Sequence, residues 1–238
     1  MVNIQDIRKS NLAFKLSGHA SGSIAVFVGA TSGIGMGTLK QYAKYAQGGK
    51  AYIVGRSKRA AEPLLNELKT SNPQGTFEFI ETEISLIKNV DLACDEIKSK
   101  EKKVDILFMS VGFLSAGGRI GLLSISVHRN GANRASESAE GIDVPHALRY
   151  YSRLRFAYDL LPLLSESPSP RVISILAGGK ESAIDLNDLE VHNDFSMVKA
   201  AANGTTQTTL AFEELAKTHP SISFIRKSSI PWAPLPTS

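Results

Sequence analysis
The sequence has one cysteine, Cys94, and one tryptophan in 238 residues. A lone cysteine excludes an intramolecular disulfide and any zinc site built on several thiolates. Long hydrophobic runs are also missing. The apolar stretches are short, as at Ile24 to Val28, far below the ~20 residues that span a bilayer. Asp6, Arg8, Lys9, Lys15 and His19 interrupt the first 23 residues, so no secretory signal is read there. A cytoplasmic protein is expected, with no membrane partner. No block of like charge exists either. Lys+Arg 27 and Asp+Glu 23 leave a net charge of +4, scattered along the chain. Nucleic acid is therefore set aside as a partner. His19, His128, His146, His192 and His219 lack metal-ligand spacing, so no metal is expected. No Gly-x-Ser-x-Gly elbow supports a serine hydrolase.

What is present is an ordinary globular composition, 42% hydrophobic and 21% charged. Short apolar segments alternate with amphipathic ones. Strands are expected at 23–30, 50–56, 75–84, 104–112, 171–179 and 221–225. Helices are expected at 32–47, 60–71, 89–103, 144–164 and 195–219. This alternation implies an α/β protein with a doubly wound parallel sheet and helices on both faces. Cys94 is read as a small buried apolar residue of an amphipathic helix. Residues 119–141 form an irregular insert, longer than the usual connection, and are read as a surface excursion or disordered insert in preference to a lid over a site. Pro231, Pro234 and Pro236 make 226–238 an irregular tail.

The first strand runs into Gly29-Ala30-Thr31-Ser32-Gly33-Ile34-Gly35. Such glycines permit a tight turn, close approach of backbone to a pyrophosphate, and close packing of helix on strand. The following helix N-terminus offers unpaired N–H groups and the positive end of a dipole. At the end of the second strand an acidic residue would suit the ribose hydroxyl of NAD. The sequence there is Val54-Gly55-Arg56-Ser57-Lys58-Arg59. Arg56, helped by Ser57 and Lys58, suits a 2′-phosphate, which makes NADP(H) the expected cofactor.

GATSGIG resembles the TGxxxGxG signature of the short-chain dehydrogenases/reductases, and the similarity runs from about Ile24 to Ile225. "ALRYYSRLRF" and "RVISILAGGKE" look like a fungal branch of that superfamily, often found in specialised metabolism. The resemblance implies a single Rossmann domain over 1–238, core 24–225, with substrate at the carboxyl ends of the strands. Against the family's full sheet, its C-terminal strand is expected to be missing, leaving one sheet edge open. Cofactor binding is then expected at Gly29, Thr31, Ser32, Gly33, Ile34, Gly35, Arg56, Ser57, Lys58, Ser110 and Lys199, with Glu83 and Ile84 beside the adenine.

The family's catalytic Tyr-x-x-x-Lys corresponds here to Phe195-Ser196-Met197-Val198-Lys199. The lysine stands, but Phe195 has no hydroxyl. The family's serine corresponds to Ala177, its NNAG to Met109-Ser110-Val111-Gly112, and its helix asparagine falls near Arg149 or Tyr150. Lys199 and Tyr150 are the candidate catalytic residues, Tyr150 as a replacement proton donor. Ser196, Asp194, His192 and a water are weaker ones. The expected function is NADP(H)-dependent hydride transfer to or from a carbonyl, alcohol or imine of a small metabolite. The alternatives are an impaired NADP(H)-binding protein acting as a redox-sensing or structural module, and a non-redox cyclase or isomerase. A second copy of the chain is left open as a partner.

Overall fold
Residues 3–16, 21–112, 138–176, 178–191, 193 and 196–228 are described in a computed structural model. Phe195, Ala177, His192, Asp194, residues 119–137 of the insert and 229–238 of the tail lie outside them. The apolar segments form β1 (Ile24–Val28), β2 (Lys50–Gly55), β3 (Thr76–Glu81), β4 (Ile106–Met109), β5 (Arg171–Leu176) and β6 (Ser223–Ser228). All pair in parallel, in the order β3-β2-β1-β4-β5-β6. Among the described residues, β6 has a neighbour on one side only.

Side chains alternate across the sheet with the period of two that a pleated strand imposes. Val26 and Val28 face one core with Tyr52, Val54, Leu107 and Met109. Ala25 and Phe27 face the other with Ala51, Ile53 and Phe108. Helices α2 (Gly33–Tyr45) and α3 (Lys58–Ser71) cover the second face with Leu39, Ala43, Leu64 and Leu68. Helix α4 (Ile87–Lys100), with Cys94 buried in it, shares the first face with segments between Ser152 and Thr218.

Three details differ from the sequence expectation. An additional helix, α1 (Ile4–Leu16), precedes the sheet, and its Ile4, Ile7 and Leu12 are exposed. Helix α3 begins at Lys58 rather than at residue 60, which puts Pro63 beyond its first turn; Pro63 faces solvent, where water can serve the carbonyl it leaves unbonded. The helix expected over 144–164 is broken. It becomes α5 (Val144–His146), a π turn (Ala147–Tyr151), α6 (Ser152–Asp159) and α7 (Leu161–Ser165). Leu160 leaves helical geometry at φ −94° and ψ 0°, two residues before Pro162, which cannot donate to the preceding turn.

The amino ends of the strands are tied by Asp105. Its carboxylate accepts from Ile24 N–H at 2.8 Å, Ser167 Oγ at 2.6 Å and Lys103 Nζ at 3.0 Å. Burial alone would raise its pKa. The Ser167 hydroxyl, the Ile24 amide and Lys103 outweigh burial and hold it below the usual carboxylate range. Asp105→Ala orphans the buried partners, and is expected to cost about 2–3 kcal/mol in chemical denaturation. Because the folded carboxyl binds its proton less readily than the unfolded one, its contribution is complete above the normal aspartate pKa. That contribution fades as pH falls through the lowered folded value. The wild type should therefore lose stability below about pH 4 more steeply than Asp105→Asn.

Candidate functional site
At the carboxyl ends of the strands, where β1 gives way to β4 in the sheet order, a cleft of about 800 Å³ opens. A doubly wound sheet leaves such a crevice because its crossovers diverge at that point. The turn from β1 into α2 forms one wall. Gly29 takes φ +79°, and a Cβ there would stand 2.7 Å from the backbone of Val111. A Cβ on Gly35 would overlap Ser110 Oγ and lie 2.6 Å from the Gly29 carbonyl oxygen. These glycines allow helix, turn and β4 to pack at backbone distance. Gly33 differs: it takes φ +57° with nothing within 4 Å of its missing Cβ. Ser32 precedes α2 in extended geometry, and its side chain makes no capping bond. Ser110 donates to the Gly29 carbonyl at 3.1 Å, pinning the turn to the end of β4.

Gly29, Thr31, Ser32, Gly33, Ile34 and Gly35 all line this cleft. Arg56, Glu83 and Ser110 line it too. Arg56 is exposed at the end of β2 and also borders a second recess of about 500 Å³. Ser57 and Lys58 do not line the cleft. Ser57 Oγ instead caps α3 by accepting from Ala60 N–H at 3.2 Å. Glu83 is turned to its own loop, accepting from Ser85 N–H at 3.1 Å. The carboxyl-terminal end of the insert is tied to the fold through Glu140, which caps α4. Glu140 accepts from Ile87 N–H at 2.6 Å and Lys88 N–H at 3.1 Å.

The proposed catalytic pair is not brought together in the cleft. Ala201 and Thr205 of α8 (Met197–Thr218) line it, one turn apart on one helix face. Lys199 stands about 200° around the helix from Ala201 and is exposed. Tyr150 packs its ring on His146 at 5.8 Å and on Tyr151 at 5.1 Å, outside the lining. Burial raises its pKa.

The inner end of the cleft is instead built on Arg149 and Arg153, a helical turn apart. Arg153 is 1% exposed. Its Nε donates to the Leu148 carbonyl at 3.1 Å and its Nη1 to the Met109 carbonyl at 3.1 Å and Ser174 Oγ at 2.6 Å. Its Nη2 donates to the Val111 carbonyl. All four acceptors are neutral. Burial, with Arg226 and Arg149 nearby, pushes its pKa down to about 9, so it remains a cation at neutral pH. The sequence expectation named Arg149 only as an alignment position and missed Arg153. A signal existed: Arg153 shares a helix face with Phe156 and Leu160, both fully buried.

A six-stranded parallel sheet with a glycine turn at its switch point puts this chain in the Rossmann class of α/β folds. Comparison with known proteins narrows the class. The family model for short chain dehydrogenases matches residues 23–208, and the chain belongs to that family. It is 44% identical over 225 residues to Oxidoreductase AN1596 of Emericella nidulans, covering 94% of this chain and 62% of that protein. It is 36% identical over 229 residues to the NmrA-like family domain-containing oxidoreductase notO of an Aspergillus species, covering 94% of this chain and 64% of that one. The chain thus spans less than two thirds of either relative. Among solved structures, a short-chain dehydrogenase from Sphingobium yanoikuyae in complex with NADPH superposes with a TM-score of 0.60 at 18% identity. That match covers 87% of this chain and 70% of the other, and carries the fold. Among the described residues, no helix is long and apolar enough to cross a membrane.

The two kinds of glycine separate in a denaturation experiment. Gly35→Ala forces backbone apart and is expected to cost roughly 3 kcal/mol or more, or to prevent folding. Gly33→Ala meets open space and should cost only about 1–2 kcal/mol, the penalty of a left-handed residue with a Cβ.

Proposed function
We propose that the cleft binds NADP(H) and that the protein is an oxidoreductase acting on a carbonyl, alcohol or imine of a small metabolite, in a fungal specialised-metabolite pathway. One observation carries the cofactor reading: the uncapped start of α2 at Gly33 and the Arg56 guanidinium line the same cleft. Gly29, Thr31, Ser32, Gly33, Ile34 and Gly35 present backbone and hydroxyl groups to the pyrophosphate. Arg56 binds the 2′-phosphate, with Ser57 and Lys58 adding hydroxyl and charge at its side. Glu83 borders the adenine, and Ser110 orders the turn beneath the dinucleotide. The open space at Gly33 fits a phosphate approaching the backbone, and the cleft volume fits a large ligand. The fungal relatives named as oxidoreductases, and the NADPH held by the Sphingobium protein on the same fold, support the reading.

Bound NADPH supplies a hydride. The chain's part is to orient the acceptor carbon, exclude water and manage the proton. Val111, Leu148, Ile175 and Leu176 give the inner cleft an apolar lining that excludes water. Lys199 and Tyr150 remain the family-derived candidates for ribose binding and proton delivery, but both stand outside the lining. That geometry favours acceptors that need no side-chain proton, such as a protonated imine. It also supports a second reading, a redox-sensing or structural module that binds NADP(H) without turnover.

Calorimetric titration tests the cofactor reading. NADPH is expected to bind about tenfold or more tightly than NADH, a difference of about 1.4 kcal/mol. Arg56→Asp should abolish or reverse that preference. Unchanged preference in Arg56→Asp refutes the 2′-phosphate assignment. Loss of NADPH absorbance with a ketone or imine panel then separates enzyme from module.

A further inference from the structure
The inner end of the cleft carries positive charge: among the described residues, neither Arg149 nor Arg153 meets a carboxylate in an ion pair, and Asp143 acts on Arg149 only through space. Arg149 is 9% exposed and lines the cleft, yet its guanidinium forms no hydrogen bond or ion pair with a described residue. It is held in place by its backbone and by close packing. Thr208 Oγ1 donates to its carbonyl at 3.3 Å, and Gly204 lets α8 approach the π turn at Arg149. Among the described residues, Arg153 is bonded to neutral oxygens. On β6, Arg226 reaches Glu181 at 2.8 Å through Nη1, while its buried Nε and Nη2 have no hydrogen-bond partner.

Asp143 draws on Arg149 through space, but its Oδ2 caps the start of α5 by accepting from His146 N–H at 2.8 Å. Glu190 accepts from Tyr151 at 2.7 Å. Leaving buried guanidinium groups without counter-charge is costly, and a ligand anion removes that cost. The same cleft is also lined by Val111, Val144, Leu148 and Ile175, with the polar Thr205 and Ser110.

We propose that this end of the cleft is a carboxylate site, in which Arg149, backed by Arg153, binds the carboxylate of an apolar organic acid that is the substrate. Planar guanidinium matches planar carboxylate in paired hydrogen bonds, and the apolar walls take the body of the acid. A cofactor phosphate is the other source of negative charge. The glycine turn and Arg56 already provide for phosphates on the far side of the switch point. The proposal rests on the oxidoreductase reading for the word substrate, and on the cleft alone for the word carboxylate.

The test compares phenylacetate with phenylacetamide, and butyrate with butyramide, by calorimetry at pH 7 and constant ionic strength. Each pair is run with and without saturating NADPH. At least one acid is expected to bind ten times or more tightly than its amide, and Arg149→Met should remove the preference. Arg149→Gln, which keeps a polar side chain, provides the same readout should the methionine variant fail to melt cooperatively. NADPH affinity should stay within twofold in either variant. Equal binding of acid and amide, or a preference that survives loss of Arg149, overturns the proposal. A tenfold loss of NADPH affinity without any acid preference assigns Arg149 to a cofactor phosphate and also overturns it. Should NADPH itself fail to bind, the cofactor reading falls, and the titrations without NADPH still decide the carboxylate site.

Discussion
The Arg153 guanidinium sits inside the protein with carbonyls and one hydroxyl around it and, among the described residues, no carboxylate bonded to it. Removing a cation from water costs several kcal/mol, and neutral oxygens recover that only when they converge from several directions. Here they come from the π turn, the end of β4, Val111 two residues after it, and β5. One side chain therefore sets the spacing of the two strands that form the inner cleft. It also holds the Val111 backbone where Gly29 can pack against it, which joins the inner end to the glycine turn. Asp105 plays the opposite part at the amino ends, an anion held by an amide, a hydroxyl and a lysine.

The sheet was legible because its strands are short, apolar and separated by helical spacing. Val26 and Val28 alternating with Ala25 and Phe27 need no tertiary information to be read as a strand between two layers. The glycine turn was legible for the same local reason. The break at Leu160 was harder, since "LLPLL" reads as apolar helix even though Pro162 marks its limit. Helix α1 escaped notice because its apolar residues give no strong stripe, and Ile4, Ile7 and Leu12 are exposed. Arg153 was hidden by its neighbour. Arg155, two residues on, is a surface cation paired with Asp91 at 2.6 Å, and composition cannot say which of the two turns inward. Only the face shared with Phe156 and Leu160 decides it.

The site divides along the same line. Residues in the backbone turn, with Arg56 and Ser110, converge on the cleft as their positions imply. Lys199 and Tyr150, named by alignment with a catalytic motif, stand outside the lining. A motif spacing specifies which residues are neighbours along a helix, but the face that meets the cleft depends on how that helix packs. Helix α8 meets the π turn through Gly204 and presents Ala201 and Thr205 to the cleft. Among the described residues, the cleft wall thereby joins apolar side chains and the Thr205 hydroxyl to the two arginines. Such a wall suits a substrate that brings its own negative charge.

The central claim is that one cleft, framed by the glycine turn, Arg56 and the Arg153-braced ends of β4 and β5, holds the dinucleotide. Amide hydrogen exchange with and without NADPH measures this most directly. The account expects NADPH to slow exchange in segments 29–36, 54–58 and 110–112 together. It expects little change at the amino ends of the strands around Asp105. Protection confined to other segments, or none at saturating NADPH, would contradict it.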